Sequence, residues 1–78
     1  MTHVVLYGKA DCELCDEMKA VVDEVARDVP FTLETVDITG DPDLLAAYGN
    51  DIPVLVVDGR RAFKYRVHAA ALRRRLAR

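Results

Sequence analysis

Long apolar runs are missing from this 78-residue chain. None approaches the roughly 20 residues that cross a bilayer, so neither a membrane-spanning helix nor a membrane partner is expected. The opening MTHVVLYGK lacks a basic start, an extended apolar stretch and a small-residue cleavage site. It does not read as a signal peptide, and a cytoplasmic protein is the expectation. Internal repeats, linkers and low-complexity segments are absent too. Acidic residues are absent from the last twenty positions. Cysteine is scarce: Cys12 and Cys15 are the only two, both inside KADCELC. In a cytoplasmic chain a permanent structural disulfide would be unusual.

What is present is globular. Hydrophobic residues make up 51% and charged residues 31%, which argues against disorder. The length suits one domain over residues 1–78, with a modest core. The net charge of −2 conceals a segregation. Residues 1–58 carry thirteen acids against Lys9, Lys19 and Arg27, a net −10, while residues 59–78 carry eight bases and no acid, a net +8. The tail LRRRLAR invites a nucleic-acid reading. Successive helical residues step by about 100°, however, so Arg73, Arg74 and Arg75 fan around the axis instead of forming one stripe. Cations in a last helical turn also complement the helix dipole. No nucleic-acid partner is expected, and a monomer is.

Hydrophobic patterning sets out the elements. HVVLYG, residues 3–8, suits a buried strand ending in glycine. A helix is expected from about Glu13 to Arg27, with Leu14, Met18, Val21, Val22 and Val25 on its apolar face and Pro30 beyond its end. FTLETVDI reads as a second strand. GDPDLLAAYGN reads as a short helix with Asp41 as cap, Pro42 in the first turn, Leu44, Leu45 and Tyr48 as an apolar face, and Gly49 as its stop. In PVLVVDGRRAF, Asp58-Gly59 between two strand-like runs marks a two-residue hairpin. A last helix is expected from about His68 to Leu76, with Ala69, Leu72 and Leu76 on one side. The order β-α-β-α-β-β-α implies a parallel first pair with a right-handed crossover. An α/β fold follows: a four-stranded mixed sheet with helices on both faces.

The spacing of Cys12 and Cys15 puts them about one turn apart at the start of the first helix, within reach of a bond near 2 Å. Cys12 would sit outermost and Cys15 one turn inward. Dithiol exchange needs that asymmetry, with an outer thiolate to attack a disulfide and an inner thiol to resolve the product. The helix N-terminus and Lys9 favour a Cys12 thiolate. Asp11, Glu13, Asp16 and Glu17 oppose it. For Cys15, simple burial beside Met18 and Val22 is an alternative role. Two thiolates fall short of the four ligands of structural zinc, and His3 and His68 are distant in sequence, so no metal is expected in one chain. A cluster shared by two chains remains a lesser alternative.

The stretches VVLYGKADCELCDEMKAVVDEV and VDITGDPDLLAAYGNDIPVLVVDG, with the order of elements, resemble the glutaredoxin branch of the thioredoxin-fold proteins. The similarity covers almost the whole chain. It is strongest to small glutaredoxin-like proteins with a C-x-L-C-D-E-type motif followed by an IPVL segment. The resemblance implies a thioredoxin fold, Cys12 as nucleophile and Cys15 as resolving cysteine. It also implies that Lys9 favours the thiolate and contacts glutathione. Pro53 matches a proline that is cis in this fold. A cis bond at Ile52–Pro53 would turn the backbone of Ile52 outward to pair with an extended substrate. Read without the resemblance, Pro53 simply opens an edge strand.

Departures accompany the match. Typical glutaredoxins carry Pro-Tyr between the cysteines, where this chain has Glu13-Leu14. They follow the hairpin with a Gly-Gly pair and acidic residues that hold the γ-glutamyl end of glutathione, where this chain has Lys64, Tyr65, Arg66, Val67 and His68. Lys64 and Arg66 either attract carboxylates of glutathione or of an acidic protein, or are simply solvated. Tyr7 either faces the cysteines or, as favoured here, fills a core edge with its hydroxyl in water. The reading is a thiol–disulfide oxidoreductase with no tightly bound cofactor. Glutathione is a possible reductant, and a protein disulfide or glutathione mixed disulfide is the partner. The alternatives are a thioredoxin-fold binding module with little redox turnover and, less favoured, a metal or cluster carrier.

Overall fold

A computed structural model describes residues 1–77; Arg78, the end of the basic tail, lies outside the described residues. The elements follow the expected order: β1 (His3–Gly8), α1 (Glu13–Ala26), β2 (Thr32–Asp37), α2 (Pro42–Tyr48), β3 (Val54–Val57), β4 (Arg60–Lys64) and α3 (Ala69–Leu76). One mixed sheet runs in the order β2-β1-β3-β4. β1 pairs parallel with β2, from His3 opposite Thr32 to Gly8 opposite Asp37. β3 lies antiparallel to both β1 and β4. This is the thioredoxin fold. No helix among the described residues is long and apolar enough to cross a membrane.

Strand alternation divides the core in two. Val4, Leu6, Leu55 and Val57 point to one face, where Met18, Val22 and Val25 of α1 and Leu72 of α3 cover them. Val5, Val54 and Val56 point to the other, packed against Tyr7, Val36 and Tyr48 of α2. The first cluster is the larger, and each fully buried side chain in it contributes about 1.5–3 kcal/mol. α2 carries no buried residue. Its expected apolar face is thinner than the sequence suggests, because Leu45 is 47% exposed and Tyr48 alone joins the second cluster. α1 is corrected at two positions: Leu14 and Val21 are only half-buried, and Cys15 completes the buried stripe with Met18, Val22 and Val25.

Local chemistry fixes the connections. Asp41 Oδ1 accepts the N–H groups of Asp43 and Leu44, and Pro42 opens α2. Gly49 caps α2 in the right-handed region, at φ −53°, not as a left-handed stop. The hairpin turns on Asp58 (φ 49°) and Gly59 (φ 82°), the pair of positive angles that a two-residue turn matching strand twist requires. Asp58 also ties the turn to β1: its N–H donates to His3 O and its Oδ1 accepts from His3 N–H. A register shift between Leu55 and Val56 inserts Ala62 into β4. Because of it, Phe63 joins the α1 face while Arg61 stands on the α2 face.

Candidate functional site

The chain leaves β1 at Gly8 and reaches α1 through a loop in which Asp11 is left-handed, at φ 56°. Aspartate tolerates that conformation better than most residues. Cys12 then adopts an extended backbone as the N-cap of α1. Its Sγ accepts the N–H of Cys15 at 3.1 Å, and its carbonyl accepts that of Asp16 at 3.0 Å. Cys12 is half-buried, whereas Cys15 is 6% exposed. The two sulfurs are joined as a disulfide, with Cα atoms 5.2 Å apart. Cys15 rests on Gly8, where a Cβ would fall 3.0 Å from its Sγ and 3.3 Å from its Cβ. Glycine at position 8 is what lets the inner sulfur sit this close to the sheet. An accessible sulfur on a helix N-terminus, bonded to a covered one, is suited to exchange: N–H donors and the helix dipole favour negative charge on the outer sulfur.

Asp11, Glu13, Asp16 and Glu17 are all exposed around the pair. Lys9 is exposed too, and with Gly8, Cys15, Asp16, Lys19 and Asp37 it lines a cleft of about 340 Å³ beside the inner cysteine. At the end of β2, Asp37 Oδ1 accepts the Thr39 N–H at 2.8 Å. That bond holds the Asp37 carboxyl below its ordinary pKa. Two cations that sequence reading offered to glutathione have carboxylates of their own. Arg66 Nη1 lies 3.5 Å from Glu17, and Lys64 Nζ lies 3.9 Å from Asp51. Val67, from the same departing stretch, is a buried member of the core. No group of three His, Cys, Asp or Glu side chains suited to a metal gathers among the described residues.

Register brings the proline to the same end of the sheet. Tyr7 of β1 pairs with Val54 of β3, so the exit to Lys9 and Cys12 adjoins the entry through Ile52 and Pro53. The Ile52–Pro53 peptide is cis, as the family resemblance implied. Pro53 is buried and Ile52 half-buried. Tyr7 is on the opposite face from Cys15, stacked on Tyr48 with ring centroids 4.3 Å apart. Burial there, then Tyr48 and Glu34, raise its hydroxyl above the ordinary pKa.

Sequence reading missed Gly8 as the seat of Cys15, although a glycine closing a strand just before a cysteine pair was a usable signal. It also missed the contacts of Arg61 with Asp51 and of Tyr65 with Asn50 and Asp51. Nothing in the local pattern joins those positions.

Residues 3–77 match the family described as Glutaredoxin-like domain (DUF836). An uncharacterized protein of Mycobacterium tuberculosis is 31% identical over 81 residues, covering 97% of this chain and 84% of its own. Among solved structures, a protein of X. campestris is 34% identical, covers 95% of both chains and superposes with a TM-score of 0.77. A protein of Nitrosomonas europaea superposes at 0.82 with 26% identity, over 95% of this chain and 89% of that one. Chloroplastic thioredoxin z, at 18% identity and a TM-score of 0.79 over 99% of this chain and 76% of its own, shares the fold.

Proposed function

The chain belongs to the glutaredoxin-like domain family (DUF836), and on that premise we propose that it is a thiol–disulfide oxidoreductase acting through Cys12 and Cys15. The observation that carries the proposal is the unequal placement of the pair: Cys12 half-buried at the helix N-cap, Cys15 covered and resting on Gly8. In the reduced protein the Cys12 thiolate attacks one sulfur of a substrate disulfide. A mixed disulfide forms, and the other substrate sulfur leaves as a thiolate. The Cys15 thiol then loses its proton and attacks Cys12 Sγ. The second substrate thiolate leaves, and the Cys12–Cys15 disulfide holds the oxidised state after a two-electron transfer.

Return to the dithiol consumes two thiols, and glutathione is the proposed source. One glutathione thiolate attacks Cys12 Sγ, releasing Cys15. A second attacks the mixed disulfide and leaves as oxidised glutathione. The substrate is a protein disulfide or a glutathione mixed disulfide, Lys9 favours the thiolate, and Ile52 with Pro53 forms the peptide-binding wall. A reducing, cytoplasmic setting belongs to this proposal, with the protein working as a monomer.

Cys12→Ser is expected to abolish exchange, while Cys15→Ser accumulates a mixed disulfide on Cys12. Mass spectrometry after alkylation in glutathione redox buffers reads both outcomes. Full exchange by Cys12→Ser, or a wild-type pair that never oxidises across the buffers, would overturn the assignment.

A further inference from the structure

The loop between α2 and β3, residues 49–53, carries Ile52 and Pro53, and strand β4 and the residue that follows it grip it from beside. Arg61 is the first point of hold. Its Nη1 donates to Asp51 Oδ2 at 3.2 Å, and its Nη2 donates to Ala47 O in the last turn of α2. The guanidinium also lies 4.6 Å above the ring of Tyr48, which is itself stacked on Tyr7. α2 has little else to hold it, since it buries no residue fully. Arg61 reaches this position only because the extra residue Ala62 turns it to the α2 face, opposite Phe63.

Tyr65 is the second point of hold. Its backbone N–H donates to Pro53 O at 2.8 Å. Its hydroxyl lies 3.1 Å from Asn50 O and 3.3 Å from Asp51 Oδ1, sharing one proton between them. The residue adopts φ 66°, a conformation rarely accepted by an aromatic side chain. Such strain persists where surrounding contacts over-determine it, and it gathers at functional sites. Asp51 is the shared acceptor, with Arg61 on one oxygen and Tyr65 on the other. Asn50 and Pro53, on either side, have their carbonyls occupied by Tyr65. No turn or loop backbone hydrogen bond to Ile52 accompanies these among the described residues. Its backbone is the open position in a loop otherwise tied down.

We propose that Arg61 and Tyr65 are positioning residues for the exchange proposed above. By fixing loop 49–53 they set Ile52 and Pro53 as the wall against which an extended, disulfide-bearing peptide lies. The inference rests on the oxidoreductase reading. It adds that substrate choice is set from β4 and the adjoining Tyr65, through Asp51, and not only by residues beside the cysteines. A peptide disulfide needs that wall; a small disulfide can reach Cys12 without it. Displacing a positioned group by about 1 Å can cost up to about a hundredfold in rate, so a partial loosening should be readable.

The test uses Arg61→Lys, which keeps the charge but loses the planar fork, and Tyr65→Phe, which keeps the ring but loses the hydroxyl. Initial rates are measured with a disulfide-linked peptide and with bis(2-hydroxyethyl) disulfide. Alkylation of Cys12 by iodoacetamide reads the thiol itself. The ratio of kcat/KM for the peptide to that for the small disulfide is expected to fall about tenfold in each variant, mainly through KM. The Cys12 alkylation rate is expected to match the wild type. An unchanged ratio in both variants, or a fall accompanied by an equal fall in alkylation, would overturn the positioning role. A wild-type protein that turns over neither disulfide would instead remove the oxidoreductase reading, and this inference with it.

Discussion

At the scale of single residues, a few atoms decide what the site can be. Gly8 is one: any side chain there would press on the sulfur of Cys15. Asp37 is another, since the Thr39 N–H favours its charged form and lowers its pKa in the folded state. The folded protein therefore holds this carboxylate ionised over a range where the unfolded chain would bind a proton. Stability from Asp37 is complete above its ordinary pKa near 3.8 and is lost as pH falls through the lower folded value. The gap in urea midpoint between wild type and Asp37→Ala should stay constant from about pH 7 to pH 5 and close below about pH 4. A gap that widens on acidification would contradict this sign.

At the scale of elements, the three helices are held in different ways. α1 is an amphipathic helix whose stripe of Met18, Val22 and Val25 closes the larger core. α3 places one residue, Leu72, fully inside, while its neighbour Arg73 stays at the surface and donates from Nη1 to both carboxylate oxygens of Asp28, at 2.7 and 2.6 Å. These adjacent positions separate the two kinds of contribution. Leu72→Ala is expected to cost about 2–5 kcal/mol, from lost burial and the cavity left behind. Arg73→Ala should cost less than about 1 kcal/mol, because the ion pair is exposed to solvent. Urea titrations of the two variants check both. α2 was legible as a helix from Asp41, Pro42 and Gly49, because capping is local chemistry. How it attaches was not, because that depends on Tyr48, Arg61 and the inserted Ala62 in β4.

Across the whole molecule, the charge segregation acquires a structural account. Bases of the C-terminal third meet acids of the first two thirds: Arg61 with Asp51, Arg66 with Glu17 and Arg73 with Asp28. Arg73, Arg74 and Arg75 also occupy the last turn of α3, where the helix dipole favours cations. The core lies in two layers on either side of the sheet, and only Cys15 of the cysteine pair is buried. The disulfide joins cysteines only three positions apart in sequence. Reduction should therefore leave the fold intact and lower stability by no more than about 1–2 kcal/mol on loop-entropy grounds. Urea unfolding with and without dithiothreitol measures the difference. Loss of the cooperative transition on reduction would show that the pair is structural.

The sequence alone determined whatever rests on neighbours along the chain. Short apolar runs at residues 3–8 and 54–57 marked the buried strands, Asp58-Gly59 the hairpin, and Asp41-Pro42 the start of α2. The spacing of Cys12 and Cys15 at a strand-to-helix junction located the candidate site, since one helical turn already brings the two sulfurs together. Tertiary structure alone decided what depends on chains meeting from afar. It seated Cys15 on Gly8, turned Tyr7 away from the cysteines, and left Leu45 in solvent. It also brought Arg61 and Tyr65 onto the proline loop, 10 and 12 residues along the chain from Asp51 and Pro53. Contacts of that kind are set by strand register and one inserted residue, and no local propensity encodes them.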